Sequence, residues 1–346
     1  MSGLNAEFAW PGGDRPGHPA FHCEPPGTVV ETIKQALASS FPPVMEPNAR
    51  LAALRMPDGP VGRYRLVTPD GSWFVRVSAR WGNPELERSI TGHLASHGVP
   101  VNSLLVAGRP LAWNGRVFRV DVRPMIVGRH FTGTADDLRS LTSTLAACHR
   151  ALVSFPGADA VRAAASTRNQ RLAQIRDRIV AALARDAFGV FAECAPWATE
   201  HRDWLVAMTE QFEPRLDEDP HAQCLHGEIH PGNVVFRSDD GAAVLVDFEE
   251  SVHVFAPPAW DLAFLVQRFC LCDDPSPSVA RLRLSVVADA YGGPLPGLAT
   301  MMRQAAWFSM ATIIDLRMSQ GVITPVDEYD KFVRLARQTH AFEGVL

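Results

Sequence analysis

Apolar residues near the start of the chain change from helical to strand-like spacing. Between residues 28 and 40 they recur every three or four positions and two prolines follow, which predicts one short helix. Three short β-prone runs come next, separated by turn signals that combine proline, aspartate and glycine. The runs are Leu51–Met56, Arg63–Val67 and Trp73–Val77. This stretch is therefore predicted to form strands joined by turns.

The pattern after residue 80 predicts one more helix and two more strands. The helix is expected at Glu85–His97, because Gly98 and Pro100 end the apolar run. The strands are expected at Ser103–Ala107 and Val117–Val122. These elements complete a small β-rich lobe that carries one helix.

Helical spacing dominates the rest of the chain. It begins with Thr134-Ala135-Asp136-Asp137, which fits a capping box ahead of regularly spaced apolar residues. Similar apolar stripes recur at 172–183 and 204–212, and we interpret them as the core-facing sides of packed helices.

The elements together predict an α+β protein of two lobes. A flexible Pro/Gly-rich segment at 1–27 precedes a small β-rich lobe at 28–127. A larger, mainly helical lobe occupies 128–346, with a hinge near Arg123–Val127. The length of 346 residues agrees with about two domains or lobes.

Composition narrows the class of protein. Hydrophobic residues make up 47% of the chain and charged residues 21%, which is typical of a folded globular protein. The formal net charge is -5, so neither a nucleic acid nor an anionic membrane is expected as a partner. The sequence contains no signal-peptide pattern and no apolar run long enough to span a bilayer, so we expect a cytoplasmic protein. The six scattered cysteines agree with reduced thiols in that compartment.

The residue types suited to chemistry are concentrated between 224 and 263. Two β-prone runs, at 234–236 and 243–246, are joined by a loop that contains Gly241, which predicts a hairpin. A hairpin places Asn233, just before its first strand, beside Asp247, just after its second. Glu228 lies on the loop that enters the hairpin, so we expect these three side chains to converge.

Phosphoryl transfer requires such a cluster of oxygen-bearing side chains. A carboxylate orients the attacking hydroxyl, and oxygen ligands hold the Mg²⁺ that neutralises the phosphate charge. In the kinase pattern H-R-D-x-x-x-x-N the carboxylate precedes the metal-binding Asn by five positions, and Glu228 and Asn233 keep this spacing. Asp247-Phe248-Glu249 stands one hairpin later, where the kinase D-F-G metal motif is expected.

Three motifs resemble the aminoglycoside phosphotransferase and choline kinase-like family. They are His226-Gly227-Glu228-Ile229-His230-Pro231-Gly232-Asn233, Asp247-Phe248-Glu249 and Pro258-Ala259-Trp260-Asp261-Leu262-Ala263. The resemblance extends more faintly from about Leu51 to the end of the chain. It implies a bilobal protein kinase-like fold with ATP between the lobes, Mg²⁺, and a small-molecule hydroxyl acceptor.

The resemblance also assigns roles to residues. It implies that Glu228 is the catalytic carboxylate and that Asn233, Asp247 and Glu249 are Mg²⁺ ligands. His226 and His230 are then structural loop histidines, and Asp261 is a buried carboxylate that supports the catalytic loop.

The predicted small lobe offers residues for nucleotide binding. Gly59 and Gly62 flank a turn where a phosphate-covering loop is expected, and an ordinary hairpin turn is the alternative. Arg76 stands where kinases carry the phosphate-contacting Lys, and Glu87 on the following helix is its expected ion-pair partner. Solvated surface charges are the alternative for this pair.

Two departures leave other functions open. Glu228 replaces the family's catalytic Asp, and Arg76 replaces its Lys, as in a nucleotide-binding pseudokinase that acts as a binding or regulatory module. A metalloenzyme in which His226, Glu228 and His230 form a metal face is a second alternative. The acceptor stays open among aminoglycosides, choline-like alcohols, sugars, amino-acid hydroxyls and protein side chains, as do the preference for ATP over GTP and the oligomeric state.

Overall fold

The computed structural model describes most of the chain, in two compact units. The described residues are 23–54, 59–79, 82–185, 195–272, 275–295, 297–320 and 326–342. The first unit comprises the described residues up to Gly157 together with Pro231–Val252, and the second comprises those of Ala158–His230 and His253–Leu346. The predicted flexible segment 1–27 lies outside the described residues as far as residue 22. The predicted boundary between the lobes, at residues 127 and 128, differs from the limits of these two units and stays a prediction.

Strands are concentrated in the first unit and helices in the second. Within the described residues, the strands are β1 (Arg50–Ala53), β2 (Gly62–Thr68), β3 (Gly71–Ser78), β4 (Val106–Trp113), β5 (Arg116–Pro124), β6 (Gly128–Arg129), β7 (Gln223–Cys224), β8 (Val234–Arg237), β9 (Ala243–Leu245) and β10 (Phe255–Ala256). The α-helices are α1 (Gly27–Leu37), α2 (Pro84–Ser96), α3 (Ala135–Leu152), α4 (Ala158–Ala184), α5 (Ala195–Glu200), α6 (Arg202–Gln211), α7 (Ala259–Leu265), α8 (Pro277–Tyr291), α9 (Leu298–Gln320) and α10 (Val326–Phe342). The predicted α+β class, with a β-rich N-terminal region and a helical C-terminal region, is confirmed.

A five-stranded antiparallel sheet organises the first unit, in the order β1-β2-β3-β5-β4. One face packs against α1, whose buried Val29, Ile33 and Leu37 join Tyr64 and Val120 of the sheet in an apolar core. Side chains alternate along a strand, so the other face of β5 carries charged residues instead. That polar face is where the candidate site begins.

Most predicted elements of the first unit are confirmed, but one strand is misplaced. The strand predicted at Ser103–Ala107 begins at Val106 and continues to Trp113. A bulge lets it continue: the pairing register shifts between Val106 and Arg109, and Gly108 has a φ of +61°. The turn that follows consists of Asn114 and Gly115, both with positive φ, a hairpin signal that was readable in the sequence.

The second unit is built from helices that pack through apolar stripes. The stripe predicted at 172–183 is buried within α4, and the stripe at 204–212 is buried at Leu205, Met208 and Phe212 but only partly at Trp204. Helix α9 packs against α4, α7 and α10. Among the described residues, no helix combines the length and apolar character that crossing a bilayer requires.

Tyr64 anchors the turn that precedes β2, and this contact yields a stability prediction. Its buried hydroxyl donates to the carbonyl of Pro60 at 2.7 Å, and burial raises the pKa of Tyr64 to about 12. Tyr64→Phe removes the donor and leaves the carbonyl unpaired, so it should lower the free energy of unfolding by about 1 kcal/mol. Urea denaturation of the two proteins measures this, and an unchanged midpoint would contradict the role of the hydroxyl.

Candidate active site

The hairpin of β8 and β9 forms as predicted and brings two candidate metal ligands together. Val234 pairs with Leu245, and the N–H of Val246 donates to the carbonyl of Asn233 at 3.0 Å. Asn233 and Asp247 therefore stand at neighbouring ends of the hairpin. The predicted convergence of Glu228 with them stays a prediction.

Asp247 adopts a backbone conformation that side chains rarely take. Its φ is +62°, in the left-handed region that favours glycine. Such a conformation costs free energy and persists only where the surroundings enforce it, and it is common at functional sites. The conformation directs attention to Asp247 independently of its sequence motif.

Arg76 forms ion pairs with both Asp247 and Glu249. From β3, its Nη1 donates to Asp247 Oδ1 at 3.0 Å and its Nη2 to Glu249 Oε2 at 2.8 Å. The Arg76 side chain is only 16% exposed, and both carboxylates are about one-quarter exposed. Burial disfavours the charged guanidinium, but Asp247 and Glu249, with Glu87 at longer range, outweigh it and raise the pKa of Arg76. The arginine therefore stays charged between two carboxylates.

The predicted ion pair between Arg76 and Glu87 is not made. Glu87 lies on α2 and is 1% exposed, and its two carboxylate oxygens accept from Arg119, at 2.7 Å, and from Arg123. Both acceptor atoms are thus already occupied by arginines of β5. Arg119 also lies 2.6 Å from Asp121; burial disfavours its charge, but these two carboxylates outweigh burial and raise the pKa of Arg119.

The turn with the two candidate glycines is only partly described, because 55–58 lie outside the described residues. A Cβ added at Gly62 would meet the ring of Tyr64 at 3.3 Å, and one at Gly59 would lie 3.8 Å from the indole nitrogen of Trp113. Gly62 is therefore closely packed and Gly59 is not. Their contact with phosphate stays a prediction.

The second unit carries the loop with the candidate catalytic carboxylate. Asp261, on α7 and fully buried, accepts from the backbone N–H groups of His226 and Gly227, each at 2.9 Å. The indole of Trp260 donates to the carbonyl of Gly227 at 3.3 Å, and Gly227 itself has a φ of +90°. These contacts are the ones that the predicted supporting role of Asp261 requires.

Glu228 itself is accessible. Its side chain is 49% exposed, and its Oε1 lies 3.9 Å from Nε2 of His230. The ring of His226 is buried, and its Nδ1 accepts from the N–H of Glu228 at 3.3 Å. His226 therefore contacts the backbone of the loop, and about half of the Glu228 side chain is exposed to solvent.

Two groups of side chains are candidates for binding a metal ion. In the part of the chain that the structure describes, no group of three or more His, Cys, Asp or Glu is arranged to hold a metal ion. His226, Glu228 and His230 are described residues and do not form such a group. Asp247 and Glu249 instead present two oxygens to one cationic group, and oxygen donors suit Mg²⁺, which takes few protein ligands beside substrate phosphates. These two residues fit magnesium.

Solved structures of similar fold are phosphotransferases and kinases of small molecules. A spectinomycin phosphotransferase in complex with ADP and spectinomycin matches with a TM-score of 0.64 and 14% identity over 91% of this chain and 98% of that chain. A Plasmodium vivax ethanolamine kinase matches at 0.54 and 12% identity over 90% and 89%. A microcompartment-associated aminopropanol kinase matches at 0.51 and 15% identity over 90% and 96%. These likenesses confirm the predicted protein kinase-like fold.

Sequence comparison identifies the family. No curated protein sequence matches the chain significantly. The sequence profile described as the phosphotransferase enzyme family matches residues 61–295, about two-thirds of the chain, and spans Arg76, Glu228, Asn233, Asp247 and Asp261. The chain therefore belongs to the phosphotransferase enzyme family.

Proposed function

We propose that the protein transfers the γ-phosphate of ATP to a hydroxyl group of a small molecule in the cytoplasm. The observation that carries the proposal is the pair of carboxylates, Asp247 and Glu249, that faces one cation beside Asn233 at the end of the hairpin. Family membership supports the reaction class. Spectinomycin, aminopropanol and ethanolamine, named for proteins of similar fold, support a small acceptor.

In this proposal, residues of the first unit bind the nucleotide. Asn233, Asp247 and Glu249 would hold Mg²⁺, which would supply positive charge to the phosphates when bound. Arg76 leaves the carboxylates and contacts the phosphates, for which its planar guanidinium is well suited. The structures with ADP and AMP among proteins of similar fold support a nucleotide as the donor.

Glu228 orients the acceptor hydroxyl. The oxygen of the acceptor forms a bond to the γ-phosphorus, the bond from that phosphorus to the β–γ bridging oxygen breaks, and the hydroxyl proton passes to Glu228. The half-exposed carboxylate is accessible to a substrate, and the support that Asp261 gives to the loop holds its backbone in place. Glutamate supplies the same acid-base group as the family's aspartate with one more methylene.

A pseudokinase is the second candidate, and a specific contact favours it. Arg76 neutralises both metal-ligand carboxylates within the protein, as expected of a chain that has lost the need for metal. Binding of ATP without any acceptor-dependent release of ADP would favour this alternative over the phosphotransferase.

The test is an ADP-release assay with ATP, Mg²⁺ and a panel of aminoglycosides, amino alcohols, sugars and hydroxy amino acids. At least one acceptor should stimulate ADP release. Glu228→Gln should lower the stimulated rate by about 10²-fold or more, because it removes the proton acceptor but keeps the shape of the side chain. Glu218→Gln, an exposed glutamate of the same unit, is the matched control. Equal rates for the wild type and Glu228→Gln would refute the role of Glu228.

A further inference from the structure

Arg76 pairs with the same two carboxylates that a divalent cation would use. Two nitrogens of a single guanidinium donate to Asp247 Oδ1 and to Glu249 Oε2. A carboxylate oxygen that ligates Mg²⁺ does so at about 2.0–2.1 Å, well inside the 2.8–3.0 Å of these hydrogen bonds. The guanidinium and the metal therefore exclude each other from the space between these oxygens.

The guanidinium of Arg76 cannot release the two carboxylates by losing its proton. The guanidinium of arginine stays protonated at any physiological pH. Lysine, by contrast, is a flexible point charge whose pKa shifts readily on burial. Arg76 must move away as a cation before the carboxylates can accept another one.

The usual partner for a cation at this position is also occupied. Glu87 accepts hydrogen bonds from Arg119 and Arg123 on its two oxygens, and all three side chains are at most 5% exposed. Arg76 therefore has its two strong anionic contacts at Asp247 and Glu249, and phosphate oxygens are the natural replacement when it leaves them.

We propose that Arg76 is a built-in competitor for the divalent cation: Asp247 and Glu249 hold either the guanidinium or the metal, and the phosphates of the nucleotide draw Arg76 away. The proposal rests on the proposed function, because it takes Asp247 and Glu249 to be metal ligands. It predicts weak binding of metal alone and strong coupling between metal and nucleotide.

The test measures binding of Mn²⁺ alone, without nucleotide, from the electron paramagnetic resonance signal of the free ion. Arg76→Ala should bind Mn²⁺ about tenfold more tightly than the wild type, since charge-assisted hydrogen bonds that compete for the ligands are lost. Arg63→Ala is the matched control: Arg63 is exposed and lies directly opposite Arg76 on β2. Its affinity should stay within about twofold of the wild type, because exposed charges are screened.

A chemical rescue separates competition from a general change in charge. Ethylguanidinium added to Arg76→Ala should weaken its Mn²⁺ binding again, and should have little effect on the wild type. Equal Mn²⁺ affinities of the wild type and Arg76→Ala, equal gains in Arg76→Ala and Arg63→Ala, or no measurable binding in any variant would each overturn the proposal. Circular dichroism confirms that the variants are folded.

The outcomes for this inference and for the proposed function are distinguishable. If the wild type releases ADP with an acceptor and Arg76→Ala leaves the Mn²⁺ affinity unchanged, the competition is refuted and the function stands. If Arg76→Ala gains affinity and adding Asp247→Asn does not remove it, the metal lies elsewhere and the proposed ligand set fails with the inference.

Discussion

Replacing Asp247 with Asn is expected to lower the rate of phosphate transfer by on the order of 10³-fold, because charge stabilisation through a metal ligand is worth several kcal/mol in the transition state. The substitution keeps the size of the side chain. Asparagine also tolerates the positive φ that Asp247 adopts, so the fold should be preserved. Rates are compared by ADP release with the best acceptor of the panel.

Asp239→Asn is the matched control for this change. Asp239 lies in the turn of the same hairpin, and its side chain is 76% exposed. The Asp239→Asn substitution removes the same charge from the same hairpin without contacting Arg76. The rate of phosphate transfer by this variant should therefore equal that of the wild type. A fully active Asp247→Asn enzyme, or equal losses in the two variants, would refute the assignment of Asp247.

Replacing Glu87 with Ala is expected to lower the free energy of unfolding by about 3–5 kcal/mol, because two arginines would remain buried without their shared carboxylate. Arg119 and Arg123 are each 4% exposed, so water cannot readily take the place of the missing carboxylate. The measurement is urea denaturation. Glu87→Gln, which keeps a hydrogen-bond acceptor but no charge, should lie between the alanine variant and the wild type.

Glu85→Ala controls for the loss of a glutamate from the same turn of α2. Glu85 pairs with Arg88 at 2.6 Å, but both side chains are more than half exposed. Exposed ion pairs contribute about 0–1 kcal/mol, so Glu85→Ala should lower the free energy of unfolding much less than Glu87→Ala. Similar losses for Glu85→Ala and Glu87→Ala would show that the buried network contributes no more than a surface pair.

Local signals in the sequence predicted the part of the site that local structure controls. The hairpin that brings Asn233 near Asp247 follows from two β-prone runs and a glycine-containing loop. The capping box at the start of α3 was equally readable, and Thr134 does accept from the N–H of Asp137. Each of these depends on neighbours within about fifteen residues.

The pairing of charges could not be predicted in this way. Arg76 lies 171 and 173 residues from its partners, and Glu87 could be assigned to Arg76 only by analogy with kinases. Which cation reaches Glu87 depends on the packing of α2 against β5. The alternation of Arg119, Asp121 and Arg123 with valines in β5 was the available signal, since it marks a strand with one apolar and one charged face.

The central claim is that Asp247 holds the metal that accompanies a nucleotide in this protein, and it can be tested without knowing the acceptor. Isothermal titration calorimetry with ATP, in the presence and absence of Mg²⁺, is performed on the wild type and on Asp247→Asn. We expect Mg²⁺ to tighten ATP binding by about tenfold or more in the wild type and to have little effect in the variant. The same Mg²⁺ dependence in both proteins, or no binding of ATP to the wild type, would contradict the account.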